Sequence, residues 1–120
     1  MATLKNKLDS TKLKWPVPWE PIPGDSAEGW ATELTREAPV GHVLYGIPCF
    51  ALGGGEHPDD ILFQIEHPDA EFAFVHFTWS AERIPDWPYT VLYRDFEHFL
   101  SHENAGSEQV EDTNPPPSRT

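Results

Sequence analysis

The stretch Glu56-His57-Pro58-Asp59-Asp60-Ile61-Leu62-Phe63-Gln64-Ile65-Glu66-His67-Pro68-Asp69-Ala70-Glu71-Phe72-Ala73-Phe74-Val75-His76-Phe77-Thr78-Trp79 decides the fold. The tetrapeptide Glu-His-Pro-Asp occurs in it twice, ten residues apart. Each Pro-Asp pair suits the central positions of a type I turn, with the preceding histidine held extended. Between the turns Ile61, Phe63 and Ile65 alternate onto one face of a strand. After the second turn, Glu71 to Trp79 alternates but is apolar on both faces, which marks a central strand covered on both sides. The repeat therefore reads as two hairpin turns of an antiparallel meander.

Upstream, Val40 to Leu52 is rich in β-forming residues, but Gly41, Gly46 and Pro48 interrupt it, as expected of a bulged or edge strand. Gly53-Gly54-Gly55 reads as a turn. Before it, Trp30, Leu34 and Ala38 recur at helical spacing with Ala27 and Ala31 beside them. Asp25 and Glu28 are spaced as a capping box, and Pro39 stops the helix. Glu33, Arg36 and Glu37 are placed off the stripe, in solvent. Downstream, Thr90 to Tyr93 forms a short strand, and Asp95 caps a last helix with Phe96, Phe99 and Leu100 on its apolar face. The expected architecture is α+β: an N-terminal helix, an antiparallel meander of three or four strands and a C-terminal helix, with the helices on one sheet face.

The expected organisation is an arm at 1–24, one domain at 25–103 and a disordered polar tail at 104–120. The arm is basic, then rich in Pro and Trp from Trp15 to Gly24. Its two tryptophans either lie against the domain or form a polyproline ligand for an aromatic groove. Single Cys49 excludes an internal disulfide and fits a reducing, cytoplasmic setting. The apolar runs fall short of the ~18 residues of a membrane span. The first ten residues lack a secretory signal pattern.

Charge narrows the partner classes. Residues 1–14 carry a net +3, residues 20–112 carry −16 and Arg119 adds +1, together the −12 of the chain. Such a body repels nucleic acid and anionic membrane and draws in basic proteins. Its acids cluster at turns and around the loop from Trp79 to Pro88. The candidate binding residues are Asp59, Asp60, Asp69, Glu71, Trp79, Glu82, Asp86 and Trp87: two tryptophan anchors with an acidic rim. Asp59-Asp60 and Asp69/Glu71 are expected at the same end of neighbouring strands.

No catalytic motif, cofactor or metal is called for. His98 and His102 share a helix face, but Phe99 stands where a zinc-peptidase helix needs Glu, so two partly exposed histidines near a helix end are expected. His57 and His67 sit in turns. His76, on the central strand, needs hydrogen-bond partners if it is buried. Cys49 has no neighbouring base, Ser80 lacks a hydrolase elbow, and the glycine run lacks the Lys of a phosphate loop.

Gly41-His42-Val43-Leu44-Tyr45-Gly46, Asp59-Asp60-Ile61-Leu62-Phe63, Val75-His76-Phe77-Thr78-Trp79-Ser80, Trp87-Pro88 and Asp95-Phe96 together resemble a family of small uncharacterised bacterial cytoplasmic proteins. Val43 and Phe77 depart from its pattern, where Pro and Leu are common. The resemblance spans about residues 28 to 100 and brings no catalytic residues with it. Small acidic proteins of this shape are often immunity proteins of bacterial toxins. The expected function is therefore an acidic inhibitor that occludes a basic, nuclease-type toxin. The alternatives are a small hydrolase using a metal, or His76 with a carboxylate, and a structural homo-oligomer.

Overall fold

The computed structural model describes residues 7–80, 83–84 and 86–108. After a short 3-10 turn at Ser10–Lys12 come β1 (Glu20–Pro21), α1 (Gly24–Glu37), β2 (Cys49–Gly54), β3 (Asp60–His67), β4 (Ala70–His76), β5 (Tyr89–Tyr93) and α2 (Phe96–Glu108). The strands form one antiparallel sheet in the order β1-β2-β3-β4-β5. The α+β meander is as expected, with five strands rather than three or four. The extra strand comes from the arm: Glu20 lies opposite Gly54, and Pro21 opposite Gly53. A strand containing proline is confined to an edge, and β1 is one. The middle strand is β3, not the one that follows it.

Strand alternation divides the core. Ile61, Phe63, Ile65, Ala73 and Val75 face Ala27, Leu34 and Ala38 of α1 and its C-terminal flank. Leu62, Phe72, Phe74 and Tyr93 face the other way, against Phe99 of α2 and Trp19. The helices thus cover opposite faces, which corrects the single-face expectation. Two strands apolar on both sides need two covers. Burial outweighs local preference here. Gly29 in the middle of α1 costs about 1 kcal/mol, while burying one leucine such as Leu34 contributes about 1.5–3 kcal/mol.

Several local details differ from the sequence reading. Helix α1 starts at Gly24 after Pro23 and has no side-chain cap, so no Asp25/Glu28 capping box forms. It ends at Glu37, just before the Ala38-Pro39 pair, as expected. Residues 40–47 form turns, and strand begins only at Cys49. β4 stops at His76, leaving Trp79 beyond it. Asp95 does cap α2, its carboxylate accepting the His98 amide at 2.8 Å. That helix runs to Glu108, into the stretch read as tail. Residues 109–120 lie outside the described residues, as do residues 1–6 of the arm.

Gly53 and Gly54 are strand rather than turn, and the glycine run receives the arm. A Cβ on Gly53 would come within 2.4 Å of Trp15, and one on Gly55 within 2.9 Å of Trp19. The indoles lie 6.1 Å apart, stacked, and both meet Phe99 edge-on. Trp15 Nε1–H donates to the Ser10 carbonyl at 2.8 Å, and Trp19 Nε1–H donates to Glu103 at 3.2 Å. The tryptophans therefore lie against the domain, not out toward a partner. Among the described residues no helix is long and apolar enough to cross a membrane.

Candidate functional site

The end of the sheet where β3 begins and β4 ends gathers four of the chemically interesting residues. Successive residues of a strand point to opposite faces, and adjacent Asp59 and Asp60 are used accordingly. Asp60 lies opposite His76 in the register. Its carboxylate is 2.5 Å from His76 Nδ1, and the carboxylate is only 10% exposed while the imidazole is 43% exposed. Asp59 turns toward the α1 side, where its carboxylate accepts the Trp79 indole N–H at 2.6 Å. Trp79 in turn lies 5.7 Å from Trp30 and 5.9 Å from Phe77.

Trp79 has φ 62°, in the left-handed region. For a residue with a Cβ that conformation costs about 1–2 kcal/mol, so its surroundings must hold it. Glu37 does so. The Glu37 carboxylate accepts the Thr78 amide at 2.9 Å, the Thr78 hydroxyl at 3.1 Å and the Trp79 amide at 2.7 Å. Glu37 is fully buried, which corrects its placement in solvent. Burial pushes its carboxyl above the ordinary glutamate value, and the neighbouring Glu33 adds to this; the Thr78 and Trp79 bonds oppose it. Glu33 itself is held below the ordinary value, chiefly by Arg36, whose guanidinium lies 2.7 Å away. The outcome is a tryptophan 51% exposed yet fixed through both its backbone and its indole.

A buried histidine braces the adjoining loop. His42 Nδ1 accepts the Leu44 amide at 3.0 Å, so Nε2 carries the proton and donates to the Pro88 carbonyl at 2.9 Å. Burial holds its pKa below the ordinary histidine value. This contact draws the turn around Val40, Val43 and Tyr45, all exposed, toward Trp87. Exposed Ile84 and Trp87 complete the apolar surface on that loop.

The predicted rim does not assemble as expected. Asp69 and Glu71 sit at the β3–β4 turn, whereas Asp59 and Asp60 precede and begin β3. Eight residues of strand, about 25 Å at the usual rise, separate the two pairs, which lie at opposite ends. Asp86 is exposed beside Trp87. Glu82 lies outside the described residues.

The remaining candidates are structural. His98, in the first turn of α2, and His102, at its middle, flank the Tyr93 ring; neither is near the helix end. His98 Nδ1 accepts the Arg94 amide, and His102 Nδ1 lies 2.8 Å from the Tyr93 hydroxyl. His67 Nδ1 accepts the Asp69 amide within its turn. Burial pushes the Cys49 thiol up to about 12. No cluster of three or more His, Cys, Asp or Glu side chains fit for a metal occurs among the described residues. A groove of about 1180 Å³ runs between α1 and residues 44–50, and none of the predicted binding residues lines it.

Glu37 and His42 were the residues sequence reasoning missed. Glu37 is three residues from Leu34 and seven from Trp30, which places it on the apolar stripe, and that spacing was the available signal. Comparison with known proteins gives no match. No family model fits the chain, and neither a curated protein nor a solved structure matches it.

Proposed function

We propose that this chain is an acidic protein-binding module that docks and occludes a basic protein, in the manner of an immunity protein neutralising a nuclease-type toxin. The observation that carries the reading is Trp79. Its ring is half exposed, its backbone is held left-handed by Glu37, and its indole is tied to Asp59. Strained residues held by their surroundings concentrate at functional sites. A rigid exposed tryptophan is also the commonest kind of interface anchor, because little entropy is lost when it docks. The −16 carried by residues 20–112 supplies the field that steers lysine- and arginine-rich surfaces toward it. Docking would centre on Trp79, Asp59, Trp87 and Asp86, with Asp60 beside them on the opposite face. Asp69 and Glu71, at the far end, would contribute to steering only.

The test is affinity capture from the native host with wild-type and Trp79→Ala proteins, followed by association kinetics with the captured protein. The expected partner is basic, associates more slowly as salt rises, and dissociates at least about tenfold faster from Trp79→Ala. An association rate indifferent to salt, or binding indifferent to the Trp79 substitution, would overturn the reading.

His76 favours a second reading. A largely buried carboxylate orienting a half-exposed imidazole is the arrangement of a general base, which supports a His/carboxylate-dependent hydrolase. Hydrolysis of chromogenic esters or phosphodiesters that is lost in His76→Gln would support it. Hydrolysis that persists in the variant would count against it.

A further inference from the structure

The β4–β5 register determines which backbone groups of the last strand are free. The Phe77 amide donates to the Asp59 carbonyl at 2.9 Å, continuing the β3–β4 ladder. In an antiparallel pair, residues alternate between exchanging both bonds and exchanging none. Val75 and Ala73 therefore point their amides and carbonyls at β3, while His76, Phe74 and Phe72 point theirs at β5. The Asp60 carbonyl, which accepts the Gly55 amide on the β2 side, obeys the same alternation. Opposite His76, Phe74 and Phe72 stand Tyr89, Val91 and Tyr93. Those three are bonded inward, so Thr90 and Leu92 direct their N–H and C=O groups to the open edge.

Both ends of that edge are closed by imidazoles. The Pro88 carbonyl accepts from His42 Nε2 and from the Thr90 hydroxyl, each at 2.9 Å. The Arg94 amide donates to His98 Nδ1 at 3.0 Å. What remains, among the described residues, is a window of four groups on Thr90 and Leu92. Tyr89-Thr90-Val91-Leu92-Tyr93 has no charge, proline or bulge, the usual devices that protect an edge. The opposite edge, β1, is two residues long and contains Pro21.

We propose that β5 pairs with β5 of a second copy of this chain, about a two-fold axis at Val91, to make one continuous ten-stranded sheet. The window is self-complementary. Thr90 comes opposite Leu92 of the second copy and exchanges both bonds with it, and the symmetry-related pair uses the remaining groups. Val91 meets its own counterpart, and Tyr89 meets Tyr93 of the second copy twice, a favourable cross-strand pairing. Beyond the ladder, the register sets Arg94 opposite Pro88 of the second copy, one and two residues from its Trp87 and Asp86, which brings one of the few cations of the body near an aromatic ring and an acid. This self-complementarity, an isologous fit, favours a second copy over an unrelated extended peptide.

The two copies carry −12 each and repel over distances that salt shortens to about 8 Å at physiological ionic strength. Dimerisation therefore strengthens as salt rises, opposite to the docking of a basic partner. The test is sedimentation velocity across micromolar to millimolar protein at low and high sodium chloride. The expected mass moves from 13.6 kDa toward twice that value, more readily at high salt. Leu92→Pro removes an outward N–H and spares the β4 ladder; it weakens the dimer roughly thirtyfold, since two interchain bonds are lost. Thr90→Lys gives the same direction by charge repulsion if the proline variant folds poorly. Slowed exchange of the Thr90 and Leu92 amides in the dimer supports the register. A chain monomeric under all conditions, a dimer indifferent to both substitutions, or one that dissociates as salt rises would overturn the proposal. So would edge protection that appears only on adding a basic partner.

Discussion

Replacing Glu37 by alanine removes the acceptor of three hydrogen bonds, to the Thr78 amide, the Thr78 hydroxyl and the Trp79 amide. Bonds to a carboxylate contribute about 1.5–3 kcal/mol each. These are only partly buried, and water reclaims some donors once the side chain is gone. The expected loss is about 3–4 kcal/mol, a large share of the roughly 5–15 kcal/mol that holds a domain of this size. The left-handed backbone at Trp79 also loses its support, so the loop relaxes. Urea unfolding measures the first effect, and the backbone amide shifts of Thr78 and Trp79 report the second. A Glu37→Ala loss below about 0.5 kcal/mol, with both amides unshifted, would refute the reasoning. The pH dependence has a definite sign. With its folded carboxyl raised, Glu37 adds most stability below the ordinary glutamate range, and that contribution falls as pH rises through its folded pKa. Glu37→Gln should remove this component of the pH profile.

Four further outcomes are expected. Gly53→Ala places a methyl within 2.4 Å of Trp15 and should cost about 1–3 kcal/mol, read as a lower urea midpoint with altered tryptophan fluorescence. His42 stays neutral when folded, so below about pH 6.5 the unfolded chain takes up a proton the folded one refuses, and stability falls. His42→Gln should flatten that fall in urea midpoints measured against pH. Asp60→Ala strips the His76 imidazole of its carboxylate, and the His76 ring resonances in NMR spectra at one fixed pH should move while those of His98 stay in place. With its thiol pushed to about 12, native Cys49 should react with iodoacetamide at pH 8 roughly a thousandfold slower than in the unfolded chain, followed by mass spectrometry.

The hairpin pair was plain in the sequence because alternation and turn chemistry agree over the same twenty-four residues. The helix stop at Pro39 and the Asp95 cap were legible for similar local reasons. β1 was not, since two residues that include a proline carry no strand signal of their own; tertiary pairing with Gly53 and Gly54 creates it. The placement of the helices could have been inferred, because a strand apolar on both sides requires a cover on each. The acidic rim failed on geometry: a strand lying between two similar turns puts them at opposite ends of the sheet. Asp59 and Asp60 looked alike in sequence, yet alternation sent one to an indole and the other to an imidazole.

The arm that lies over Gly53 and Gly55 has a consequence for synthesis. Trp15 and Trp19 are made well before their platform, which includes Phe99, and Trp19 bonds Glu103, 84 residues further along the chain. Translation proceeds from the N-terminus, and contacts this distant in sequence form late. The arm therefore leaves the ribosome with two bare indoles and stays undocked until α2 has emerged. A chain truncated before Phe99 would present them permanently, an aromatic tag that chaperones and proteases can read as unfinished work.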